Sequence, residues 1–299
     1  MPRVHLQLED DGAPAFASKV VDILNRTLAA TNPTSPDEAA AALDSLFSQD
    51  YAEHGAAGSF LWWFWDLVHN LARQIPYDSP QQDRLATAIE ALTRLPSKSV
   101  NLGDEWGGGS ESSVELWAKL PMFGNTLGEK LDDGDLNASE EDQKKERRVN
   151  LQAYAARVMG LCLVPLEMYA IWALVDALEG IVTPVRGAPD GVDSNPAAVE
   201  DVSYKARSAA SWMVHAGHVL HGRDKEIRGA TAGPLWKLDK KEAIKLRRKF
   251  KGTDGLCPQR WQLWKERFAA VRDAEGLDER AREDAGDAFA VMEKAEKGH

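Results

Sequence analysis

The sequence predicts an all-α protein: a single irregular multi-helix bundle of roughly nine to eleven helices with two long loops. Three observations predict it. Apolar residues recur at helical spacing along most of the chain. Serine and proline signals start and stop those runs. No run alternates apolar and polar residues between turn dipeptides, as a half-buried strand would.

The elements follow in order. Phe16, Val20, Ile23, Leu24 and Leu28 give a first helix within Pro14–Ala30. Ser35-Pro36-Asp37-Glu38 combines an N-cap, a first-turn proline and a capping-box glutamate, so a second helix runs from Pro36 to about Phe47. A third covers Ser59 to Ile75 and stops at Pro76. Ser79-Pro80-Gln81-Gln82 repeats the start signal, with Gln82 in the capping-box position, and opens a helix to about Arg94. The Ile75–Pro80 stretch therefore reads as a tight corner between two helices that pack on each other. Ser139 caps a helix that turns apolar from Val149 to Val164, where Cys162 reads as a buried thiol. Glu167 to Val182 is nearly all apolar. Further helices are expected at about Pro196–Leu220, Lys240–Lys249, Pro258–Ala274 and Asp278–Lys297. Pro96–Ser113 and Thr183–Asn195 are the two long loops, read as surface linkers. No solenoid period is present, and the chain reads as one domain over residues 1–299, with its core over about 14–275.

Composition bounds the function. The 43% hydrophobic fraction and ten tryptophans supply a substantial core. A net charge of −11 disfavours general nucleic-acid binding. Two cysteines without a CxxC pair provide neither a disulfide framework nor a zinc site. No signal peptide or membrane span is evident, which implies the cytoplasm, or the nucleus. No Gly-x-Ser-x-Gly elbow, Walker sequence, GxGxxG or HExxH motif occurs. No cofactor is implied.

Two segments carry a resemblance. One runs from Leu61-Trp62-Trp63-Phe64-Trp65-Asp66-Leu67 through Ala72-Arg73-Gln74-Ile75-Pro76-Tyr77-Asp78-Ser79-Pro80-Gln81-Gln82-Asp83-Arg84-Leu85; the other is Trp117-Ala118-Lys119-Leu120-Pro121-Met122-Phe123-Gly124. Together they resemble the fungal family catalogued as domain of unknown function 3632. Weaker echoes in Asn150–Arg157, Tyr169–Leu174 and Ala210–Gly217 extend the likeness over residues 50 to 270. The resemblance implies a helical fold and a fungal source. It brings no activity.

Candidate functional residues are read from local pattern. Trp62, Trp63, Phe64 and Trp65 are consecutive and so point all round their helix, which is then either central in the core or presents an aromatic face to a ligand or partner helix. Trp62, Trp65, Asp66, His69, Tyr77 and Asp83 are the candidate lining of an apolar pocket, with Asp66 and His69 expected as a buried hydrogen-bonded pair. Asp176 and Glu179 share a face of an apolar helix and need a cation, for which Arg157 is the nearest candidate. His215, His218 and His221 are spaced three apart near a helix end, where the C-terminal dipole explains them without a metal. Asp132-Asp133-Gly134-Asp135 is an acidic loop and not a magnesium motif, because Gly134 breaks the helical spacing that chelation needs. Lys237–Lys251 carries eight lysines and arginines against two acidic residues, a net +6 in a chain whose remainder totals −17. Lys240, Lys241, Lys245 and Arg248 form the candidate basic patch on one helix face.

These readings favour a non-catalytic module that binds a protein partner through the basic helix. The alternative is an enzyme or carrier with an apolar small-molecule pocket, of the kind fungal secondary metabolism would use. Whether the protein is an enzyme is left open by the sequence.

Overall fold

The protein is described by a computed structural model covering residues 4–106, 113–132, 140–184, 186, 191–237 and 253–298. Ten α-helices lie among these residues, with two short two-stranded sheets, so the fold is mostly helical as expected. The chain divides into two compact units, Met1–Pro165 and Leu166–His299.

The first unit holds α1 (Ala17–Thr27), α2 (Pro36–His54), α3 (Gly58–Ala72), α4 (Pro80–Thr93), α5 (Phe123–Asp132) and α6 (Glu141–Gly160). The Ser35 box forms: its hydroxyl accepts from Glu38 N–H while Glu38 accepts from Ser35 N–H. Ser79 also caps its helix, accepting from Gln81 N–H. Gln82, however, makes no capping box. It is fully buried, and its amide donates to the carbonyls of Ile75 and Asn150 at 2.8 and 3.2 Å. It thus satisfies an orphan carbonyl beyond α3 and ties the corner to α6. The corner forms, but α3 and α4 find their main partners elsewhere. α3 packs on α5 and α6, and α4 on α2 and α6. The shared core is aromatic: Phe47, Phe60, Phe64, Trp65, Trp117 and Phe123 meet mostly edge to face, centroid to centroid at 4.8–6.2 Å, with Phe60 and Phe64 stacked at 5.8 Å.

The second unit holds α7 (Glu167–Leu178), α8 (Val202–Leu220), α9 (Pro258–Arg272) and α10 (Glu279–Glu296). α8 packs on α10 and α7, and α9 on α10 and α7. Trp212, Trp264 and Phe268 fill its interior.

The two long loops are more than linkers, since each is rooted by an antiparallel ladder. β1 (Ser99–Asn101) pairs with β2 (Ser113–Glu115), and β3 (Ile181–Thr183) with β4 (Gly191–Asp193). The apolar run Glu167–Val182 therefore ends as a helix at Leu178. Gly180, at φ +73°, turns the chain, and Ile181 and Val182 enter β3. The helix expected from Pro196 begins at Val202, after a 3₁₀ turn over Pro196–Ala198. Cys162 is exposed rather than buried. α6 stops at Gly160, and Cys162 adopts φ +58° in the following turn, off the buried helix face. Helix Lys240–Lys249, the Ser139 cap and residues 133–135 of the acidic loop lie outside the described residues.

Candidate functional site

The six pocket candidates have different surroundings. Trp65 is fully buried and donates through Nε1 to the Pro121 carbonyl at 2.8 Å. Trp62 is half-buried, with its ring 5.2 Å from that of Trp106. Trp63 is 37% exposed, so the four-residue aromatic run is part core and part surface. Asp66 and His69 do not pair as expected. Asp66 meets Lys130 Nζ at 2.7 Å and accepts from Asn70 at 3.0 Å. His69 is fully buried, with Nε2 3.2 Å from the Phe123 carbonyl oxygen and 3.1 Å from Thr126 Oγ1. Its spacing from Asp66 puts it one turn further toward the core, against α5. Tyr77 is buried in the corner.

Asp83 is exposed at the start of α4, where its carboxylate accepts from Arg157 Nε at 2.5 Å. This corrects the assignment of Arg157. Its guanidinium, 7% exposed, serves Asp83 and the Ala153 carbonyl, not Asp176 or Glu179. Asp176 is exposed, and Glu179 has another cation.

That cation is Arg260, on α9. Glu179 and Arg260 are both fully buried, with Nε 2.8 Å from Oε1. Trp264 Nε1 donates to the same oxygen at 2.8 Å, and Gly233 N–H donates to Oε2 at 2.6 Å. The Arg260 guanidinium also donates to the carbonyls of Thr231, Asp254 and Gly255. One ion pair therefore joins the end of α7, the 231–237 segment, the 253–257 segment and α9. Trp236 Nε1 adds a bond to Asp254 Oδ1 at 3.1 Å. The residues flanking the basic segment on both sides are thus fastened together. Sequence reasoning missed Arg260 and Trp264. Their only local signal was a polar residue among the apolar positions of α9, one and four residues from indoles.

The histidine triplet separates. His218 is exposed, His215 is half-buried, and His221 caps α8, donating its N–H to the Gly217 carbonyl at 2.8 Å. The His221 ring lies 4.8 Å from that of Trp261. Among the described residues, no group of three His, Cys, Asp or Glu side chains is arranged to hold a metal ion. No helix among them is long and apolar enough to cross a membrane. The candidate basic residues Lys240, Lys241, Lys245 and Arg248 lie outside the described residues.

The second unit also contains a cavity of about 220 Å³ between the end of α8 and the first turn of α9. His221 and Trp261 line it, with Leu220, Leu256, Cys257 and Trp264.

The chain matches no curated protein and no solved structure. It does match one family model over residues 65–268, which covers the second half of α3 through most of α9. The chain belongs to the family described as protein of unknown function, DUF3632.

Proposed function

We propose that this chain is a non-catalytic interaction module that docks an acidic protein partner through its 237–251 segment. One observation carries the reading: a net +6 segment, in a chain of net −11, leaves from a base whose two sides are fastened by buried bonds. A fixed base presents the cations from a defined place, which lowers the ordering cost of binding. The −17 remainder disfavours nucleic acid as the partner and favours a compact acidic surface that meets the patch alone. Trp62, Asp66, His69 and Asp83 each have partners of their own, which supports the interaction reading over the pocket alternative. Two thiols without a disulfide, Cys162 and Cys257, suit a reducing compartment, the cytoplasm or the nucleus.

The test is charge reversal, K241E/K245E/R248E, assayed with poly-glutamate as the acidic probe. The parent protein is expected to bind it with an affinity that falls steeply with added salt, and the variant to lose binding at an unchanged melting temperature. Unchanged binding sinks the proposal. So does a lowered melting temperature with binding intact, which makes the patch a partner of the chain's own acidic surface.

A further inference from the structure

In the cavity between α8 and α9, most of the polar side chains of the lining already have partners, Gln262 among them through Glu296 at 2.7 Å. Trp264 Nε1 is held by Glu179, and Trp261 Nε1 by Glu296 at 2.9 Å. Arg223, the one charged residue of the lining, is paired with Glu167 at 2.5 Å. The rest of the lining is mostly apolar, with two indoles, Leu220, Leu256 and the Cys257 thiol, beside the polar side chains of His221 and Gln262. The thiol belongs to Cys257, at the N-cap of α9. Burial, helped by the charge of Asp224, holds its pKa above the ordinary thiol value against the Arg260 and Gln259 amides and the Arg260 charge. At neutral pH it is a protonated thiol, and the site holds no activated nucleophile. The arrangement suits binding, not covalent chemistry.

We propose that this cavity binds a small, uncharged aromatic molecule of about one fused ring pair. Size and polarity both point there. A dry apolar cavity of roughly 150 Å³ holds benzene in another protein, and this one is about 220 Å³. A charged ligand would have to leave water for a lining with no uncommitted counter-charge, which is costly. An aromatic ring gains stacking on Trp261 and Trp264, and a single N–H or O–H on the ligand can meet His221. The proposal does not rest on the acidic-partner reading.

Cys257 makes the test direct. In a C162S background the exposed thiol is gone, and N-ethylmaleimide reports on Cys257 alone. Indole is the probe, with indole-3-acetate as its charged analogue. Indole is expected to slow labelling saturably, by about tenfold at ten times its dissociation constant, and the carboxylate to protect far less at the same concentration. A labelling rate indifferent to indole up to its solubility limit overturns the proposal, and so does equal protection by indole-3-acetate. L256W supplies a second readout, because its indole should fill the space and slow labelling with no probe added. If that variant does not fold, the two probes on the C162S protein still decide the question.

Discussion

His69 is a base held where a proton is unwelcome. Burial is the largest cause of its pKa falling to about 3; the Phe123 carbonyl opposes it, and the charges of Arg73 and Lys130 add to it. The lowered pKa keeps the ring neutral, the Phe123 carbonyl accepting from Nε2 makes it the Nε2–H tautomer, and the buried Nδ1 has no hydrogen-bond partner among the described residues. The sign of the linkage follows. Below about pH 6.5 the unfolded chain takes up a proton that the native site refuses, so stability falls as pH falls, from about 6.5 toward about 3. The slope due to this residue is at most ~1.4 kcal/mol per pH unit. His69→Gln keeps an N–H for the Phe123 carbonyl and does not titrate. Urea midpoints between pH 7 and 5 are expected to drop more steeply for the parent than for the variant, and parallel profiles would refute this role. The sequence showed that His69 sat in an apolar helix and needed a partner; it did not show which. The same limit misplaced Arg157. A side chain's own helix fixes its face, whereas its partner, 74 residues away in the case of Asp83, is fixed by packing.

Local chemistry was more legible at the scale of the element. Ser35 and Ser79 cap the helices their spacing announced, and Pro36, Pro80 and Pro258 open theirs. Ends set by long-range contact were not legible. α2 continues past Phe47 to His54 on mostly polar residues, and α5 was missed because it is ten residues long and follows Met122 at φ +69°. α3 is the clearest case. Its N-cap, Ala57, has no side-chain oxygen; instead Ala57 and Gly58 donate to the carbonyls of Asn101 and Leu102 at 2.8 and 2.9 Å. The loop caps the helix. A Cβ on Gly58 would lie 2.4 Å from the Leu102 oxygen and 2.1 Å from Trp106 Cδ1, so backbone must move. Gly58→Ala is therefore expected to cost about 1–3 kcal/mol and to shift Trp106 into water. Differential scanning calorimetry and a red-shifted tryptophan emission would show both. A normal melting temperature would mean that the loop yields freely.

At the scale of the molecule, helical periodicity fixed the class, because a 3.6-residue repeat is a property of each segment alone. The grouping into two compact units, and the bonds that hold each together, depend on residues far apart in sequence. In the second unit the Glu179–Arg260 pair is the main such bond, 81 residues apart and fully buried. Two charges taken out of water gain little net stability, yet removing one alone leaves the other uncompensated. Glu179→Ala is thus expected to cost about 3–5 kcal/mol, as Arg260 keeps only carbonyl acceptors. Replacing both by apolar residues of similar size, E179L/R260L, should cost less than the sum of the single changes, E179L and R260L, because no buried charge remains. Urea unfolding of the four proteins measures the coupling directly. Additive losses would mean that the pair does not act as a unit. If the coupling is large, the single variants should also speed amide exchange in Thr231–Lys237 and Thr253–Cys257 before they speed it in α8, since the pair holds the Gly233 N–H and the carbonyls of Thr231, Asp254 and Gly255. Loosening there without global unfolding would weaken the base from which the basic segment leaves, and poly-glutamate binding should weaken with it.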